Sequence, residues 1–367
     1  LFIFICESLK MLLGMCRGKR KASSSTPPTL LSATVASNGA TIALVFTAPV
    51  SPMLPASGAT GLTVTVAGSG AAITSTATVA ATITLTMTVP IFASQVVTIA
   101  YSAGNITDSA PTALANFGAT AVTNSSTRYT STKSLVFDGV DESISVADNN
   151  LHDFSTAMTC SMWVKGAAGV APFKVLGGKS DYGGTTAWSW YLEKSNATKA
   201  AVVLSSDGTS ANRKLYVTST TIWDGTWHHF AFTFAPNVLK LYVDRVLDAS
   251  PTKTLDATVN SIFANSVATR FSAGRNNGTP ADFFAGSFNN ISLWNATLTQ
   301  AQIDELATNG KPADLALHSL YATNCISWYK CGDGDTIGAN GILDTTSNAI
   351  HMTPNNMEAG DIATDAP

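Results

Sequence analysis

The chain has 367 residues and is 45% hydrophobic but only 12% charged, with 21 Lys and Arg against 24 Asp and Glu. A soluble globular chain carries about 25% charged residues, so this composition, rich in Thr, Ser, Ala and Val, excludes a disordered protein, a coiled coil and a helical bundle. No run reaches the roughly 20 apolar residues that cross a bilayer as a helix, and the length predicts two or three domains.

Residues 1–28 read as a flexible basic arm, with Arg17, Lys19, Arg20 and Lys21 beside a Ser/Pro linker and Met11 a plausible true start. Glu7 and Lys10 interrupt the apolar opening, and the positive cluster follows it, the reverse of the order in a secretory signal. Met15 before Cys16 is a poor fit to a lipoprotein cleavage box. Four charges next to a linker predict a solvated tail, with nucleic acid an unlikely partner.

Residues 29–124 predict a first β-sandwich. Asp108 is the single charged side chain between Ala22 and Thr127. Residues 40–46, 62–66, 73–79, 82–89 and 95–101 are β-branched and in part strictly alternating, and Gly39, Gly58, Gly68 and Pro90 punctuate them. Strands at this spacing without helices make a sandwich. Exposed strand edges normally carry charges that prevent association, and here almost none are present, which predicts packing into an ordered assembly. The run Gly39 to Thr47, the run Val96 to Tyr101, Asp108 and the close at Asn116–Phe117 and Ala121 to Asn124 resemble the bacterial Ig-like repeats of large surface proteins. That resemblance implies a spacer or assembly module.

Charges and aromatics return at Arg128, and all seven Trp lie beyond it. Residues 128–310 predict a second sandwich, with a strand, tight turn and strand over 134–146, an apolar alternating strand over 154–163 and further strand blocks over 223–234, 239–244 and 284–294. One helix is predicted, capped by Thr299 with Gln302 three residues on and stopped near Gly310. These blocks, including Trp227-His228-His229 and Leu293-Trp294-Asn295, resemble in order and spacing the laminin G-like, concanavalin A-like jelly roll. The resemblance implies two packed antiparallel sheets that bind sugars or proteins, often with a calcium ion at the rim.

The fold class expected is therefore all-β, an N-terminal Ig-like β-sandwich followed by a concanavalin A-like jelly-roll sandwich. Retaining glycoside hydrolysis needs two carboxylates about 5 Å apart, and no strand here carries acids at alternate positions; Asp138, Asp141 and Glu142 sit in a turn. No enzyme is expected. No cofactor is required, and a structural calcium would find its best ligand in Asp138, with Asn289 standing where the family often has an acid. His228 and His229 are adjacent in a strand and point to opposite faces, so they cannot chelate one metal. Trp188 and Trp190, on one alternating face, are the candidates for sugar stacking against the alternative of core packing.

Residues 311–367 predict an extension packed on the jelly roll. Trp328-Tyr329-Lys330-Cys331-Gly332-Asp333-Gly334-Asp335-Thr336 and the close Met357-Glu358-Ala359-Gly360-Asp361-Ile362 resemble the ending of laminin G-like proteins of tailed bacteriophages. Gly332 to Asp335 is shorter than a 12-residue EF-hand loop and lacks its closing Glu, so a turn is expected. Cys325 and Cys331 lie about 20 Å apart along a strand, too far to bridge, and with Cys160 read as buried thiols suited to a reducing cytoplasm. The expectation for the whole is a non-enzymatic, homo-oligomeric protein on the surface of a virion, a capsid decoration or a head or tail fibre. Its partners would be other virion proteins and a host-surface glycan, with no membrane. The alternatives are a secreted bacterial lectin-like adhesin and, behind it, a glycan hydrolase.

Overall fold

The computed structural model describes residues 26–51, 60–93, 95–108, 112–169, 173–184, 187–308, 310–338 and 341–367. The basic arm with Arg17, Lys19, Arg20 and Lys21, the start at Met11 and the thiol of Cys16 lie outside the described residues. The chain divides into two compact units, 1–128 and 129–367. No helix among the described residues is long and apolar enough to cross a membrane.

In the first unit, alternation of Thr or Ala with Ile, Leu, Val and Phe gives strands with one wet and one dry face. Thr41–Phe46 and Thr82–Met87 each bury every second residue. One ladder runs Leu30–Val35, Thr41–Phe46, Thr82–Met87, Ile73–Val79; another runs Ser69–Ala71, Leu62–Val66, Val97–Tyr101, Phe117–Asn124. They join through a short parallel pairing at Thr34 with Thr123 and Val35 with Asn124. Val35, Ile42, Leu44, Phe46, Ile83 and Ile99 pack into the common core. The sandwich is thus as expected, with three strands, Leu30–Val35, Ser69–Ala71 and Phe117–Asn124, that its five alternating runs did not delimit.

The second unit is two eight-stranded sheets over one core. The first sheet runs Val246–Leu247, Val238–Val243, Trp227–Ala235, Met158–Lys165, Ala285–Trp294, Ser134–Asp138, Ile362–Ala363, and Cys325–Tyr329 pairs with the far half of Ala285–Trp294. The second runs Thr252–Asp256, Arg213–Val217, Ala200–Ser205, Trp190–Lys194, Lys174–Lys179, Thr269–Phe271, Ser143–Val146, Thr353–Asn355. Phe230, Phe232 and Phe234 face Trp190, Leu192 and Val202 in the shared core, and each such side chain taken from water stabilises the fold by about 1.5–3 kcal/mol. Two buried lysines are paired with acids: Lys179 holds Asp148 at 2.7 Å and also Asp153, and Lys214 holds Asp256 at 2.5 Å.

Two expectations need refining. The helix is shorter than its sequence pattern, Gln300–Asp304, although Thr299 and Gln302 do form the capping box. Residues 307–308 turn instead into a small antiparallel pair with Lys311–Pro312. The C-terminal extension, expected to pack on the jelly roll, is woven into it. Cys325–Tyr329 and Ile362–Ala363 extend the first sheet, and Thr353–Asn355 forms an edge of the second.

Candidate functional site

The strand Trp190–Lys194 has the sequence WYLEK, and period-two alternation sends Trp190 and Leu192 into the core while Tyr191 and Glu193 emerge on the opposite side of the sheet. The strand Arg213–Val217, separated from it by Ala200–Ser205, divides in the same way. Tyr216 joins the core, and Arg213 and Leu215 share the outer side with Glu193. Val175, which opposes Glu193 across the ladder, extends this outer face. The result is a cleft of about 460 Å³ on the outside of the second sheet.

Three rings build its wall. Tyr182, Trp188 and Tyr191 lie with ring centres 5.9–6.2 Å apart in tilted contacts. The Arg213 guanidinium lies over the Trp188 ring, 4.4 Å from its centre, and the indole N–H donates to the Gly184 carbonyl at 3.3 Å. Phe173 stands at the lip, 64% exposed, with a backbone φ of 63° that a phenylalanine rarely adopts. Apolar rims from Leu215 and Leu255 complete the surface.

The polar groups of the cleft are unequal. Asp282 is engaged, because the Tyr182 hydroxyl donates to its carboxylate. Glu193 is only 5% exposed, and its carboxylate has no hydrogen-bond or ion-pair partner among the described residues. Burial pushes its pKa up to about 7; Arg213 pulls the other way and Asp282 adds to the rise. The Arg213 Nε is likewise buried without a hydrogen-bond partner. An aromatic wall beside a carboxylate with no protein partner is equipped to hold a ligand that offers flat apolar faces and hydrogen-bond donors.

Trp188 and Trp190 do not share a face, contrary to the sequence reading. Trp190 is fully buried between the sheets, beside Phe154 and Phe232, whereas Trp188 belongs to the outer cluster. The strand begins only at Trp190, so the two-residue period does not reach back to Trp188. That residue instead lies on a loop tied to the sheet, where the backbone N–H of Trp188 donates to the carbonyl of Gly208 at 3.0 Å. Tyr191, Glu193, Arg213 and Phe173 were missed. The available signal was the WYLEK alternation itself, which marks an odd-numbered face carrying Tyr and Glu.

Asp138 and Asn289, the calcium candidates, are not brought together. Asp138 opposes Ala285 across the ladder, and Asn289 lies four residues further along that strand, roughly 13 Å away. The Asp138 carboxylate accepts the Val140 N–H at 2.7 Å, while the buried Asn289 amide donates to the Ser131 hydroxyl at 2.8 Å and the Lys133 carbonyl at 2.5 Å. Among the described residues no group of three His, Cys, Asp or Glu side chains is gathered as metal donors. In the Gly332 to Asp335 turn, Asp333 accepts from Tyr129, Thr132 and Lys133, and Asp335 accepts from the Gly332 and Leu343 amides.

His228 and His229 point to opposite sides, as their adjacency requires. His228 bridges Asp224 and Asp244 at 3.2 and 2.9 Å, and these carboxylates raise its pKa; the buried His229 contacts the Ser161 hydroxyl at 2.8 Å. Cys160, Cys325 and Cys331 are free and buried, and burial raises their pKa values. In the first unit a groove of about 400 Å³ opens where Leu30–Val35 and Phe117–Asn124 diverge; no charged side chain lines it.

Residues 138–304 match the family described as "Concanavalin A-like lectin/glucanases superfamily", and residues 23–105 match one described as "Putative flagellar system-associated repeat". No curated protein matches the chain significantly. Among solved structures, a "putative carbohydrate binding protein" from Bacteroides ovatus is similar over 92% of this chain and 93% of its own, at 14% identity and a TM-score of 0.48. A heptameric SAP-like pentraxin from Limulus polyphemus is similar over 47% of this chain and 84% of its own, at 13% identity and a TM-score of 0.33. The CBM40 of a Ruminococcus gnavus IT-sialidase, bound to α2,3-sialyllactose, covers 46% of this chain and 96% of its own, at 14% identity and a TM-score of 0.35. The second unit is a concanavalin A-like jelly-roll domain.

Proposed function

We propose that the second unit binds glycans in the cleft of Tyr182, Trp188 and Tyr191, and that the chain is a non-enzymatic adhesive protein. The observation that carries this reading is the aromatic wall set beside Glu193, a buried carboxylate with no protein partner. A sugar ring has an apolar face for the indole and hydroxyls that donate to the carboxylate. The matched superfamily includes lectins, which agrees with binding, and glucanases, which do not fit as well. Glu193 has no second acid at an alternate position on its strand, and Asp282 already accepts from Tyr182. A glycan array on the full chain, repeated with Trp188→Ala, tests this: loss of all signal in the variant supports the reading. Equal signal from both, or no glycan bound by the native chain, rejects it.

The setting we propose is the surface of a tailed-phage particle, as capsid decoration or fibre, with the first unit as an Ig-like dock and the chain as a homo-oligomer. Its support is the sequence resemblance of the Trp328 to Thr336 run and the Met357 to Ile362 close, together with the near absence of charge in residues 22–127. Buried free thiols at Cys160, Cys325 and Cys331 accord with assembly in a reducing cytoplasm. The second reading is a secreted bacterial adhesin, favoured by the match of residues 23–105 to a flagellar system-associated repeat. Copy number in purified particles separates them: hundreds of copies mean a lattice decoration, a few dozen a fibre, and absence the bacterial adhesin. The binding proposed here requires no cofactor, so chelation with EDTA leaves affinity unchanged; a loss restored by calcium would return Asp138 to consideration.

A further inference from the structure

Resting on the glycan-binding reading of the cleft, we infer that its glycan is acidic, with a carboxylate or sulfate held by Arg270 and Arg275 beside the sugar ring that packs on Tyr182. Strand register places the first arginine. On the outer face of the second sheet Tyr191 opposes Gly178, Gly178 opposes Arg270, and Arg270 opposes Ser145. Tyr191 and Arg270 are thus two strand spacings apart, about 10 Å between backbones, and both side chains reach in over the glycine between them. A Cβ at position 178 would lie 2.4 Å from that of Tyr191, so only glycine admits this approach.

The second arginine is tied to the aromatic wall itself. Arg275 lies on Gly274–Asn276, and its carbonyl accepts the Tyr182 N–H at 2.9 Å. The Tyr182 ring rests over Gly274, where a Cβ would come within 2.4 Å of it. Gly178, Tyr182, Tyr191, Arg270 and Arg275 accordingly line one notch of about 10 Å³, and Val175, Tyr182 and Tyr191 are common to this notch and the 460 Å³ cleft. The notch has room for a single water-sized atom, so an anionic group seats one oxygen there while its sugar stays outside against Tyr182.

The charges favour that oxygen. Arg270 Nη1 donates to the Ser143 hydroxyl at 2.8 Å, and the guanidinium has no ion-pair partner among the described residues. Burial holds its pKa below the ordinary value, and the Arg275 charge acts in the same direction. Asp181 offsets Arg275, with Oδ2 3.3 Å from its Nε, which leaves the charge of Arg270 in surplus. No acidic side chain lines the notch, whereas Glu193 and Asp282 line the cleft, so the two ends of the site differ in sign. A carboxylate or sulfate oxygen meets the surplus charge and relieves the repulsion between the guanidiniums. A neutral hydroxyl gains less, and an amino sugar is repelled at the notch.

Saturation-transfer NMR on the full chain tests the inference. The probes are glucuronic acid, galacturonic acid, glucose 6-sulfate and galactose 6-sulfate, each in competition with glucose or galactose. The expected result is about tenfold stronger competition by an anionic sugar than by its neutral parent, shrinking as salt is raised. Preference for the uronates identifies a carboxylate as the bound group, and preference for the sulfated sugars a sulfate. Arg270→Gln is expected to erase the preference, and Arg270→Lys, which keeps the charge without the fork, to retain part of it. Equal competition by the neutral parents, or a preference that survives Arg270→Gln, overturns the acidic-glycan inference while leaving glycan binding intact. No transfer to any sugar overturns both. Should Arg270→Gln fail to fold, the native selectivity series and its salt dependence decide.

Discussion

The guanidinium of Arg213 lies 4.4 Å from the ring centre of Trp188, and two positions further along the chain Trp190 is sealed inside the core. Two tryptophans within three residues therefore belong to different environments. Trp190→Ala opens a cavity between the sheets and is expected to cost about 3–5 kcal/mol. Trp188→Ala empties a space that solvent can fill and should cost about 1–2 kcal/mol. Chemical denaturation of both variants, with glycan binding measured on each, checks the contrast. A larger stability loss for Trp188→Ala would mean that it too serves the core.

Phe173 holds a left-handed backbone and an exposed ring, a combination that costs stability and gains no burial. Glycine relieves about 1 kcal/mol of that strain while deleting the ring. Phe173→Gly should leave the melting temperature unchanged or raised and weaken glycan binding. A drop in melting temperature would show that the ring supports the fold.

Glu193 makes stability depend on pH in an unusual direction. Its carboxyl is held up to about 7 in the native chain against 4.5 when exposed. Between those values the native state binds a proton that the unfolded state has released, so this residue's contribution improves as pH falls from 8 to 4.5, by about 3 kcal/mol at most. Glu193→Gln should remove this slope and be the more stable protein at pH 8. Melting curves of both proteins from pH 4.5 to 8 supply the test, the difference between them cancelling all other titrating groups.

Asp333 receives the Tyr129 hydroxyl at 3.1 Å and the amides of Thr132 and Lys133 at 2.9 and 3.2 Å. Asp333→Ala leaves these donors without their acceptor and should cost about 2–4 kcal/mol. Ending the chain at Gly310 should be worse, because the strands Cys325–Tyr329, Thr353–Asn355 and Ile362–Ala363 are then missing from both sheets. A cooperative melt of residues 129–310 alone would contradict this.

Much of this architecture was legible. In Thr82–Met87 and Thr41–Phe46, strict alternation of β-branched and apolar residues fixes strand, face and core together, since a strand repeats every two residues. The Thr299–Gln302 cap was legible because it is local, made between residues three apart. The helix end was not, because residues 307–308 gain more by pairing with Lys311–Pro312 than the sequence pattern could weigh.

The site was legible only in part. Trp188 was singled out, but for a face it does not share with Trp190, and Asp138 and Asn289 were joined although strand register keeps them apart. By itself the sequence determined the all-β class, the change in character near Arg128 and the burial of the three described thiols, because these follow from composition and short-range periodicity. Only the tertiary structure decided that Tyr182, Trp188, Glu193 and Arg213 meet in one cleft and that the C-terminal residues complete both sheets. Those facts depend on which distant strands pair and in what register, and that is settled by packing across the whole sandwich rather than by any local run of residues.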